Sequence, residues 1–128
     1  MIDRINKVKE FHESFRIQNL EKPEGNISEK DYTLRHRLIA EENDEYLEAC
    51  KNGDITEIAD ALGDMLYIIF GTALKHGLQH KMEEVFDEIH RSNMSKLDDN
   101  KQPIFREDGK ILKSNNYFRP NIGQIVNS

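Results

Sequence analysis

The sequence predicts an all-α protein: an antiparallel helical bundle of four main helices, followed by a short C-terminal β-hairpin and an extended tail. Three observations carry this. Apolar residues recur every three or four positions through the first 97 residues, the period of helices packed on one side. Breakers at Pro23-Glu24-Gly25, Asn52-Gly53 and Gly77 divide that pattern into segments of helix length. The chain has no Trp and few β-branched runs, which disfavours an extensive sheet. At 128 residues it is expected to form one domain spanning 1–128, with a helical core over about residues 3–97 and a hairpin and tail over 98–128.

Each element has its own signal. Ile2, Ile5, Val8, Phe11 and Phe15 form an amphipathic stripe that predicts a first helix over about 3–18. Ser28, with Asp31 three residues on, reads as the start of a second helix that runs to Cys50 and stops at Asn52-Gly53. Asp54 followed by Glu57 reads as a capping box for a third, which closes at Gly77. From Ala61 to Leu74 that helix is apolar nearly all round and Asp64 is its only charge, so it is the expected core helix. Met82, Val85, Phe86 and Ile89 mark a fourth over about 80–97. Asp108-Gly109 suits a tight type I′ turn for a hairpin over 104–112.

Composition narrows the partners. A net charge of -6 argues against nucleic acid and against a membrane surface, both of which reward positive charge. Cys50 is the only cysteine, so no intramolecular disulfide can form, and it is expected to be a small apolar filler. No apolar run approaches the roughly 20 residues of a membrane span. The first residues lack the apolar stretch of a signal peptide. A cytoplasmic protein with a small partner is expected.

The candidate site is a pattern of like charges. Glu42 and Glu45 stand at i, i+3 and Glu41 and Glu45 at i, i+4, so all three carboxylates crowd one face of the second helix. Asp60 and Asp64 stand one turn apart on the third. On an antiparallel hairpin, at ~1.5 Å per residue, Glu45 lies ~12 Å before the Gly53 turn and Asp60 ~10 Å after it, while Glu41 and Glu42 face Asp64. Such clusters repel and lose solvation unless a cation sits among them. Oxygen ligands without cysteine select Mg²⁺, with Mn²⁺ possible, over Zn²⁺. On the fourth helix the stripe projects onto Asn93 and Lys96, at the height of Asp64. Asp44, Glu48 and Glu10 read as solvated, Glu57 is explained equally well by its cap, and of the histidines only His90, one turn before Asn93, is a candidate.

Glu41-Glu42-x-x-Glu45, followed by an acidic pair before an apolar Tyr-bearing helix, resembles the all-α nucleoside triphosphate pyrophosphohydrolases. His90-Arg-Ser-Asn93-Met-Ser-Lys96, Arg106-Glu-Asp108-Gly109-Lys110-Ile-Leu-Lys113 and Tyr117-Phe-Arg119-Pro120 resemble its MazG-like, phosphoribosyl-ATP pyrophosphohydrolase-like branch. The likeness runs from Phe11-His12 to Ile122. One position departs: the second acidic motif is usually Glu-x-x-Asp ending at the place of Asp64, and residue 61 here is Ala61. Asp60 inherits the role, with Glu57-x-x-Asp60 as a rival alignment.

The resemblance implies Mg²⁺-dependent cleavage between the α- and β-phosphates of a nucleoside triphosphate, giving the monophosphate and pyrophosphate, with house-cleaning of (d)NTPs as a role. Glu42, Glu45 and Asp64 would be metal ligands, and Glu41 or Asp60 a further ligand or the base. Lys96, Lys110 and Lys113 would meet the leaving pyrophosphate, and Asn93, Phe11 and His12 would hold the nucleoside. A homodimer or homotetramer is implied. Two other classes stay open: a non-heme di-iron carboxylate bundle, for which only Asp87-x-x-His90 approaches the needed Glu-x-x-His pairs, and a non-catalytic structural or regulatory bundle whose acids bind no metal.

Overall fold

The computed structural model describes residues 1–128 and is predominantly helical, in two compact units, Met1–His80 and Lys81–Ser128. The first unit contains α1 (Ile2–Ser14), α2 (Glu29–Lys51) and α3 (Ile55–Lys75). The second contains α4 (Met82–Met94), a two-stranded hairpin of β1 (Ile104–Phe105) and β2 (Ile111–Leu112), and α5 (Ile122–Val126).

In the first unit α3 is the shared neighbour, packing against both α1 and α2. Its buried residues Ala61, Ala73 and Leu74 meet a core completed by Ile5 and Val8 of α1 and Ala49 of α2. The helix starts follow the expected chemistry: Ser28 Oγ accepts from the Asp31 amide at 3.1 Å, and Asp54 Oδ1 from the Glu57 amide at 3.2 Å. Gly53, with φ +61, lets the chain reverse between α2 and α3 in three residues.

α1 ends four residues earlier than its apolar period suggests. Arg16 takes a left-handed φ of 59, and the Ile17 amide reaches back to the carbonyl of His12 at 2.8 Å, which closes the helix. The linker that follows is stitched to the end of α3. Leu20 N donates to Leu74 O at 3.0 Å, Glu24 N to His76 O at 2.9 Å, and Lys75 Nζ to Gln18 O at 2.7 Å. The crossing needs Gly77: its φ is +67, and a Cβ there would lie 2.0 Å from the carbonyl oxygen of Lys22.

The second unit is held largely by polar contacts. The buried Ser92 donates to the carbonyl of Phe118 at 2.8 Å, Ser95 Oγ accepts from the Phe118 amide at 3.2 Å, and Ser114 donates to Leu97 O at 2.7 Å. Glu88 takes both nitrogens of a bidentate fork from Arg91 and the Asn121 amide, while the Arg91 guanidinium lies 4.3 Å from the centre of the Phe118 ring.

Three expectations are corrected here. The hairpin forms at the expected place, pairing Ile104 with Leu112 and Phe105 with Ile111, but its turn is not type I′. Of its turn residues only Gly109 has positive φ, at 88. Gly109 N donates to Arg106 O and Arg106 N to Lys110 O, which is a type I turn closed by a left-handed glycine. The tail is not extended throughout, since Asn121 caps the five-residue α5 by accepting from Gln124 N. Cys50 is exposed rather than a core filler.

Candidate active site

The α2–α3 hairpin gathers four of the five predicted carboxylates. Glu42 of α2 feels the charges of Glu45, Asp64 and Asp60, so the two acidic ridges face each other across the hairpin as their distance from Gly53 requires. Glu42 is the centre of the group: its Oε2 is fully buried and has no hydrogen-bond partner. Desolvation, then a hydrogen bond with Glu45 and repulsion from the neighbouring carboxylates, push the Glu42 carboxyl up to about 7 from its ordinary 4.5. Asp64 is raised as well, first by desolvation and then by Asp60 and Glu45. Glu45, Asp60 and Asp64 are exposed on the rim.

This donor set suits a hard cation. A buried carboxylate oxygen with no donor costs free energy, and the three anionic neighbours add to that cost. A divalent ion bound by oxygen would remove both penalties, and the site has no sulfur or imidazole ligand to favour a softer metal. No three His, Cys, Asp or Glu side chains are drawn together tightly enough to hold a metal ion as they stand.

Each of the other candidate residues has its own local surroundings. Glu41 pairs with Arg37 at 3.9 Å on the exposed flank of α2. Glu57, with Glu45, Glu48, Asn52 and Asp54, lines a cleft of about 300 Å³ at the hairpin turn. Phe11 is 40 % exposed and stacks on Phe15 and, edge-on, on Tyr67, with ring centres 4.5 and 5.7 Å apart. His12 is interior: Nδ1 is 2.6 Å from Asn19 Oδ1, and burial, offset in part by that bond, lowers its pKa. The ring is thus engaged within the first unit. In the second unit Asn93 is exposed and Lys96 half-buried, and neither Lys96 nor Lys110 makes an ion pair. Lys113 Nζ lies 4.5 Å from the centre of the Tyr117 ring.

Periodicity did not mark Arg35, Thr72 and Gly71. Arg35 is 9 % exposed and bonds Thr72 and the carbonyl of Ile68. Its only signal was an Arg on the apolar side of α2, among Leu34, Leu38 and Ile39.

An all-helical unit with opposed acidic ridges on one hairpin defines the class of all-α nucleotide pyrophosphohydrolases. The chain belongs to the phosphoribosyl-ATP pyrophosphohydrolase family, whose family model matches residues 8–93 and so takes in α2, α3 and all the carboxylates above. It is a pyrophosphohydrolase acting on a nucleotide. Comparison with curated proteins gives no match. No helix is long and apolar enough to cross a membrane.

Proposed function

We propose that this protein is a Mg²⁺-dependent nucleoside triphosphate pyrophosphohydrolase that cleaves between the α- and β-phosphates and releases a nucleoside monophosphate and pyrophosphate. The observation that carries the reading is the unpartnered buried oxygen of Glu42 amid Glu45, Asp60 and Asp64. Those four would hold the metal. Asp60 is preferred to Glu41 as the fourth ligand because Asp60 acts on Glu42, whereas Glu41 is engaged by Arg37. When bound, Mg²⁺ would offset the charge of the phosphate oxygens and align them for in-line attack.

The chain's own groups supply the rest. Glu41, exposed beside the ridge, is the candidate base toward the attacking water. Lys96, Lys110 and Lys113 are proposed, on the resemblance alone, to meet the charge building on the leaving pyrophosphate. Phe11, exposed and stacked beside Tyr67, offers an aromatic face to a base, and a role for Asn93 toward the nucleoside is proposed on the resemblance alone. His12 is left out of substrate binding because its ring is interior. House-cleaning of (d)NTPs in the cytoplasm fits this chemistry. So does assembly into a homodimer or homotetramer, since Leu62, Leu66 and Ile69 of α3 are 47, 54 and 40 % exposed on a helix too apolar to face water.

A panel of canonical and modified (d)NTPs, assayed for pyrophosphate release with Mg²⁺ and with chelator, tests the reading. Release of pyrophosphate plus monophosphate only with the metal is the expected result. Turnover undiminished in chelator, or inorganic phosphate as the product, would sink it.

A further inference from the structure

Arg35 is a buried cation with no carboxylate partner. Two of its donors reach α3: Nε donates to Thr72 Oγ1 at 3.0 Å and Nη2 to the carbonyl of Ile68 at 2.9 Å. Thr72 Oγ1 donates in turn to that same carbonyl at 2.8 Å, so the three groups close a ring of hydrogen bonds across the helix pair. The approach is tight beside the buried Gly71. A Cβ on Gly71 would stand 2.6 Å from Arg35 Nη2 and 2.9 Å from His12 Nε2.

Cohesion alone does not account for this arrangement. A guanidinium buried against neutral acceptors is costly, and an apolar side chain of similar volume would hold α2 to α3 at least as well. What the planar fork adds is direction. Two bonds from one rigid group, to points one turn apart on α3, fix both the height and the rotation of α2. Ile68 lies one turn from Asp64, and Arg35 lies two turns from Glu42. The fork therefore sets the register in which the ridges meet, and a metal site tolerates only about 0.5 Å of error in that register.

We propose that Arg35 is a positioning residue for the carboxylate site, and that its bonds to Thr72 and Ile68 hold Glu42 and Glu45 opposite Asp60 and Asp64. This rests on the metal-site reading above. Arg35 would act through the helix that carries the ligands, its two bonds being to Thr72 and Ile68.

The test uses the full chain and reads Mg²⁺ affinity by titration calorimetry without nucleotide, alongside turnover. Thr72→Val keeps the shape and removes the acceptor for Nε. It should stay folded by circular dichroism, while its Mg²⁺ dissociation constant rises by about tenfold or more, the usual loss when a group supporting metal ligands is removed. Thr72→Ser should restore wild-type affinity, because the hydroxyl returns. Arg35→Lys should weaken binding similarly, since one ammonium cannot hold both acceptors in a fixed fork. If Thr72→Val melts lower but binds Mg²⁺ as the wild type does, Arg35 is only structural and the proposal is overturned. Should Arg35→Lys fail to fold, the Val and Ser pair at position 72 still decides. Failure of the underlying metal reading looks different: wild type itself would then show no Mg²⁺ binding, and Glu45→Gln would turn over normally.

Discussion

Glu45→Gln separates what the carboxylate does for the fold from what it does for the site. The amide keeps the shape and removes one of the charges that push Glu42 up, so in metal-free protein stability should hold or rise. Pyrophosphate release should fall by two or more orders of magnitude, while Glu48→Gln, one turn nearer the hairpin turn, should leave both quantities close to wild type. Steady-state kinetics and thermal melts on the two variants check this. Glu42 adds a pH signature. Its folded-state pKa of about 7 lies above the ordinary 4.5, so the folded protein binds that proton more tightly than the unfolded chain. Stability from this group is therefore fully present below about 4.5 and is lost as pH rises toward 7. Metal-free melts should show that loss, Glu42→Gln should flatten it, and the apparent Mg²⁺ affinity should climb across the same window and then level off. These carboxylates were legible in the sequence because like charges at helical spacing next to an apolar helix need a reason. Arg35 was not, because arginine on a helix is ordinarily at the surface and its burial depends on Thr72 and Gly71, 37 and 36 positions away.

Elements were legible where local chemistry decides them. Ser28 and Asp54 cap as their spacing says, and Gly53 and Gly77 close α2 and α3. The departures come where tertiary contacts outrank period. The first helix was expected to run to about residue 18, but it ends at Ser14 and the chain turns at Arg16 to cross the end of α3. Within the His90–Lys96 stretch, which the sequence marks as a site motif, Arg91, Ser92 and Ser95 also hold the tail at Phe118. Ser92→Ala leaves the carbonyl of Phe118 without its donor inside the second unit, a cost of about 1–3 kcal/mol. Hydrogen exchange should quicken over residues 114–126 while amides of α1–α3 keep wild-type protection. Gly71→Ala acts at the other unit: its methyl meets Arg35 and His12 at under 3 Å, and the overpacking should cost about 1–3 kcal/mol in a denaturant melt. An unchanged melt would mean that α1 and α2 can yield there.

Across the whole molecule the fold class was readable because three helices of 13, 23 and 21 residues announce themselves by period and punctuation. What the period could not say is which apolar faces meet. The expectation that α3 is the core helix holds on the side of Ala61, Ala73 and Leu74, but Leu62, Leu66 and Ile69 form a stripe at i, i+4 and i+7 that the chain leaves open. An apolar ridge of that kind beside an anionic site is consistent with a second copy of the chain packing there about a two-fold axis, since an isologous contact needs a single self-complementary patch. Leu66→Glu places a charge at the middle of that ridge. In a monomer the change is nearly free, because Leu66 is half-exposed and the side chain can reach water. In a symmetric dimer the same charge occurs twice at the contact and is desolvated, at a cost of several kcal/mol. Light scattering coupled to size exclusion should therefore show wild type as a dimer or tetramer and Leu66→Glu as a monomer with retained helical signal. A monomeric wild type would remove the assembly from the proposal and leave the α3 ridge without a partner.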